Sequence, residues 1–138
     1  MTTKLQLTLR PSINFNIKNP YPCVNITYGG ESIFNDELRD KKTFTTEIYK
    51  DGILAIEHYN KDPSDTSVDE NNNIIGDKAI ELCSLFFDEF EVPMTFLYGC
   101  DYHINWNNEK KIITDTLYFG FNGKYKVFRF YWHWTLFC

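Results

Sequence analysis

The chain has 138 residues, is 43% hydrophobic and 17% aromatic, and carries a formal charge of −5. That length and apolar content fit one folded domain spanning 1–138 with a sizeable core, and they exclude a disordered chain. The negative balance repels phosphate and so argues against nucleic acid, and no stretch is long and apolar enough to span a bilayer.

From the start of the chain, strand signals dominate. Residues 4–9 alternate Leu5, Leu7 and Leu9 against polar neighbours, and Pro11 and Ser12 close that strand. The start lacks the unbroken apolar run of a secretion signal, so synthesis in a cytosol is expected. Residues 14–18 alternate again, and Pro20 and Pro22 stiffen the connector that follows. Residues 23–28 read as a strand ending at the Gly29-Gly30 turn. Residues 35–42 are charged and suit a loop or a short helical turn. Residues 43–49 form a strand, and Asp51-Gly52 signals a hairpin to a return strand over 53–59.

An acidic loop comes next. Between Glu57 and Asp77 stand six acids and one base, Lys61, so this segment alone carries the −5 of the whole chain. Residues 79–92 are read as a long strand with Ile80, Leu82, Ser84, Phe86, Asp88, Phe90 and Val92 on one face, a turn near Asp88-Glu89 and a stop at Pro93. Residues 96–106 are expected to form a strand kinked at Gly99. The last hairpin joins 116–121 to 124–130 through Asn122-Gly123, a type I′ signal. Beyond it, residues 131–138 carry aromatic or apolar groups on both faces; such an end is either a central strand covered on both sides or a subunit contact. The class is all-β, a two-sheet antiparallel β-sandwich of jelly-roll type.

Candidate chemistry concentrates in the acidic loop. Clustered hard oxygens are what Ca²⁺ takes, and Asp62, Asp65, Asp69 and Asp77 with backbone carbonyls could supply them. The loop is not an EF-hand, because Ile74 replaces the required glycine and Ile80 the closing glutamate. The alternative is a solvated charged loop. The three histidines, His58, His103 and His133, lack zinc-ligand spacing, and the four cysteines, Cys23, Cys83, Cys100 and Cys138, form no C-x-x-C pair. Buried free thiols are the default expectation in a reducing compartment, with two disulfides as the alternative. Nucleophile-elbow, H-E-x-x-H and glycine-rich phosphate motifs are all lacking, so no catalysis is expected.

Residues 53–62, the polar loop, 77–82 and 87–93 together resemble the middle of a jelly-roll carbohydrate-binding module of the Ca²⁺-dependent, xylan-binding type. Residues 117–130 resemble the closing hairpin of such modules in virion proteins of tailed phages, including cyanophages. The resemblance covers 43–130. It implies that Asp77, opening the strand after the loop, and Asp62, ending the strand before it, would be calcium ligands. The family's next acid falls at Cys83, which is no ligand for Ca²⁺.

The resulting expectation is a non-enzymatic phage β-sandwich, a virion-associated accessory or adhesion subunit, found in the virion or the host cytoplasm. It would bind glycan or protein through His58, Tyr59, Asp62, Asp65, Asp69 and Asp77, with copies of itself or other virion proteins as partners. The alternative is a small effector that modulates a host protein, its acidic surface suiting a basic partner. A third possibility is a glycan-active enzyme using the acids of the loop.

Overall fold

Alternation of apolar and polar side chains lays down two facing antiparallel layers in the computed structural model, which describes residues 2–130 and 135–137. The first layer holds β1 (Thr3–Ser12), β4 (Lys42–Ile48), β8 (Ala79–Phe87), β9 (Phe90–Glu91) and β12 (Tyr118–Phe119), in the order β12-β8-β1-β4 with β9 on β8. The second holds β2 (Cys23–Tyr28), β3 (Glu31–Glu37), β5 (Gly52–His58), β10 (Tyr102–Trp106), β11 (Glu109–Ile113), β13 (Gly123–Phe130) and β14 (Thr135–Phe137). Its order is β11-β10-β13-β5-β2-β3 with β14 on β13. A small ribbon of β6 (Ser67–Val68) and β7 (Ile74–Gly76) belongs to the acidic loop, and one short helix, α1 (Met94–Tyr98), precedes β10. The expected two-sheet antiparallel β-sandwich is what forms.

The core lies between the layers. Leu5, Leu7 and Leu9 of β1 meet Val24 and Ile26 of β2, Leu54 and Ile56 of β5, and Tyr125 and Val127 of β13, all buried. Phe119 anchors one end, its ring centroid 4.9 Å from that of Tyr102 and 4.8 Å from that of Tyr125. Aromatic pairs at these separations add to the burial of their area. The Tyr125 hydroxyl donates to the Leu97 carbonyl at 2.6 Å, and that of Tyr102 donates to the Phe121 carbonyl.

Several local expectations change. Asp51-Gly52 is not a hairpin: β4 pairs with β1 in one layer, whereas β5 pairs with β2 and β13 in the other, so the chain crosses between sheets. Asn122-Gly123 also crosses, from β12 to β13. Its glycine serves a close approach, since a Cβ there would lie 2.3 Å from the His103 carbonyl oxygen. Residues 14–18 form turns, because buried Asn14 spends its amide on the Asp65 carbonyl (2.7 Å) and the Ser67 hydroxyl (2.9 Å). Of residues 35–42, 35–37 end β3, 38–41 form the expected loop, and Lys42 opens β4. Where a kinked strand was expected over 96–106, Pro93 opens α1, which buries Leu97 before β10 begins.

Strand β11 and its turn went unread in the sequence; Asn107 and Asn108 both adopt positive φ (52° and 63°), the geometry a type I′ hairpin needs. The long strand after the loop does form, but its apolar face changes phase. The register with β1 steps from Thr8↔Ser84 to Leu9↔Leu82, leaving Cys83 as a bulge, so Ile80 and Leu82 point inward before it and Leu85 and Phe87 after it. Cys23 and Cys83 are free thiols, as expected, whereas Cys100 is disulfide-bonded. The aromatic end expected to dock or oligomerise falls largely on 131–134 and 138, outside the described residues.

Candidate functional site

The acids of the loop are spent on holding the loop. Asp62 caps a 3₁₀ turn (Pro63–Asp65): its carboxylate accepts from the Ser64 amide at 3.0 Å and the Ser64 hydroxyl at 2.8 Å, while Asp65 accepts from the Asp62 amide at 2.8 Å. This reciprocal arrangement is a capping box. Asp69 closes the tip of the β6–β7 ribbon by accepting from the amides of Asn71 and Asn73, both at 2.9 Å. These hydrogen bonds keep Asp62 and Asp69 below the usual carboxylate range.

Two lysines hold the loop from beneath. Lys61 is 5% exposed and Lys78 is 2% exposed. The Lys61 ammonium donates to Asp77 Oδ1 and, at 2.9 Å, to the Lys78 carbonyl. The Lys78 ammonium reaches Asp65 Oδ2 at 2.8 Å and the Asn19 carbonyl at 3.4 Å. Buried ammonium groups persist only when paired in this way. Asp77 Oδ1 also accepts from the Thr66 hydroxyl (2.9 Å) and the Lys78 amide (2.9 Å), and Oδ2 accepts from the Tyr118 hydroxyl (2.7 Å). Burial alone would raise the Asp77 carboxyl, but hydrogen bonds from Lys61, Tyr118 and Thr66 outweigh it and hold the group low. Burial, then the bond to Asp77, pushes Tyr118 up to about 12, so it is a neutral donor at ordinary pH. Asn122 clamps this base to the second sheet: Lys61 N donates to its Oδ1 and its Nδ2 donates to Lys61 O, each at 2.7 Å.

This donor set does not fit Ca²⁺. The ion needs six to eight oxygens around one centre, yet Asp62 and Asp77 accept from separate sets of donors and an ammonium already sits against Asp77. Among the described residues, no three His, Cys, Asp or Glu side chains gather as a metal cage.

Above Asp77 a cup of about 350 Å³ opens. Trp106 and Ile113 of the β10–β11 hairpin form one wall, Ile74 and Thr66 of the loop the other, and Asp77, Tyr118 and Phe121 the floor. Trp106 meets Phe121 edge-on with centroids 4.9 Å apart, while Tyr118 and Ile74 remain exposed.

Of the six residues expected to bind, only Asp77 enters the cup. His58 points into the core, 1% exposed, with Nδ1 2.9 Å from the Phe119 carbonyl; burial, the first cause, lowers it to about 4 and keeps the ring neutral. Tyr59, just past the end of β5, is exposed and lines a separate groove on the second sheet, its hydroxyl donating to Asn35 Oδ1 at 2.9 Å. Asp62, Asp65 and Asp69 build the loop. Sequence reasoning missed Lys61, Lys78, Trp106 and Tyr118. A signal existed for the lysines, one inside a run of acids and the other directly after it.

No family model and no curated protein matches the chain. Among solved structures it is similar to vCBM60 in complex with galactobiose, at 12% identity over 89% of this chain and 95% of that one, TM-score 0.54. It is also similar to the selenomethionine form of vCBM60, from one of two families of calcium-dependent carbohydrate-binding modules linked by circular permutation. That match has 10% identity over 98% and 99% of the two chains, TM-score 0.59. At such identities the likeness establishes a shared fold, the β-sandwich of these carbohydrate-binding modules.

Proposed function

We propose that the chain is a non-catalytic glycan-binding module that seats a neutral sugar ring in the cup over Asp77. The observation that carries this reading is the pairing of an exposed ring, Tyr118, and a half-buried one, Trp106, with a carboxylate in one small cavity. A sugar presents an apolar C–H face to a ring and hydroxyl donors to a carboxylate, and Asp77 Oδ2 has only the Tyr118 hydroxyl as its protein donor among the described residues. The bound galactobiose of one structural neighbour supports the same class of ligand. An Asp held ionised against an ammonium is unsuited to act as a general acid, which supports binding over hydrolysis.

Titration calorimetry against neutral oligosaccharides tests it. Tyr118→Ala and Trp106→Ala should each weaken binding by about tenfold or more, as loss of an aromatic contact of ~1.4 kcal/mol would. No heat with any neutral sugar, or unchanged affinity in both variants, overturns the reading. The finer placement we infer, an accessory adhesion subunit of a phage particle, rests on the segment resemblance; its absence from purified particles by mass spectrometry would end it.

A further inference from the structure

The outer face of the second sheet is a second, chemically different surface. A groove of about 930 Å³ runs over β11, β10, β13 and β5. The strands below it turn Leu54, Ile56, Tyr125 and Val127 inward, so their chain neighbours Glu57, Lys124 and Lys126 stand on the open face. Lys110, Lys111, Lys124 and Lys126 line the groove with Glu57 as the one acid among its lining residues, Lys111 being paired with Glu109 at its edge (3.4 Å), on a chain whose overall charge is −5.

Across the sheet, Asn35, Asn25, Glu57, Lys124 and His103 stand directly opposite one another from β3 to β10. Four inter-strand spacings make this polar row about 19 Å long. Amides, a carboxylate, an imidazole and an ammonium in line can bond to hydroxyls and carboxylates along an extended chain.

We propose that this groove binds a linear acidic polysaccharide bearing uronate carboxylates. Local lysine excess favours an anion. Nucleic acid fits less well: Glu57 stands mid-row against phosphate, and the whole chain repels a dense polyanion. A sparse row of carboxylates separated by hydroxyl-rich rings matches both the lysines and the amides. This surface is separate from the cup and does not depend on a sugar binding there.

Affinity electrophoresis through polygalacturonate, neutral xylan and a single-stranded oligonucleotide tests it. The native chain should be retarded by polygalacturonate and not by the oligonucleotide, and less so as salt rises, whereas any retardation by xylan through the cup should survive both salt and the triple substitution. The variant Lys110→Gln/Lys124→Gln/Lys126→Gln should lose about tenfold in affinity with an unchanged melting temperature, because all three side chains lie on the surface. Tyr118→Ala should leave this retardation intact, separating the groove from the cup. Three results overturn the proposal: no retardation by polygalacturonate, retardation indifferent to the triple substitution, or equal binding to the oligonucleotide, which would mark unspecific attraction of polyanions.

Discussion

At the scale of single residues, His58 sets a pH window. In the folded chain its ring is neutral and buried, donating from Nδ1 to the Phe119 carbonyl, with a pKa lowered from 6.5 to about 4. The unfolded chain binds that proton first. Stability from this group is therefore complete above about pH 6.5 and is lost as the pH falls toward 4, where the native ring also protonates. The loss should amount to about 3 kcal/mol. Urea unfolding between pH 7.5 and 4.5 reads it. A His58→Gln variant, which keeps a donor for Phe119 but cannot titrate, should show a flatter profile over that range; an identical slope would assign the loss to other groups. Lower still, protonation of Asp77, Asp62 and Asp69, all held below the ordinary carboxylate range, should destabilise the loop further.

At the scale of elements, the loop from Lys61 to Lys78 is pinned by two crossed ion pairs, Lys61 with Asp77 and Lys78 with Asp65. Removing one partner strands the other charge. Asp77→Ala should cost about 3–5 kcal/mol, because the Lys61 ammonium stays buried without its carboxylate. The double variant Lys61→Met/Asp77→Ala should cost less than Asp77→Ala alone, since no orphan charge remains. Denaturant midpoints of the native chain, Lys61→Met, Asp77→Ala and the double variant decide; simple additivity would show that the pair does not act as a unit.

The same loop shows what a sequence can disclose. Strands β1, β2, β5 and β8 were legible because leucines and isoleucines alternate with polar residues. Which sheet each strand joins was not, because Asp51-Gly52 and Asn122-Gly123 carry the letters of a tight hairpin but serve crossings between layers. The bulge at Cys83 was hidden for a related reason: a change of phase looks like imperfect alternation. The acidic cluster was plain in the sequence, but its use was not. Only coordinates reveal that Asp65 and Asp77 face ammonium groups from Lys78 and Lys61, and that Trp106 and Tyr118, distant in sequence, close a cavity beside them.

At the scale of the whole molecule, the calcium expected from the sequence resemblance and the lysine-bound acids of this chain lead to opposite expectations about metal. A ligand that binds only the folded state raises its melting temperature in proportion to the logarithm of its concentration over Kd. Here the melting temperature should be the same in millimolar Ca²⁺ and in excess chelator, since an ammonium already sits against Asp77 and Asp62 and Asp69 are turned to donors of their own turns. A rise of several degrees with Ca²⁺ would overturn that account of the loop.

The layer crossings have a further consequence for how the molecule assembles. Strand β13 sits between β10 and β5, although β5 lies some seventy residues earlier in the chain. Until that late strand arrives, β5 presents an open row of amides and carbonyls, the kind of edge that recruits neighbouring chains. Since β1 must likewise wait for β8, the sandwich has high contact order and should fold slowly for its length. Its most vulnerable moment is the interval before β13 slots in.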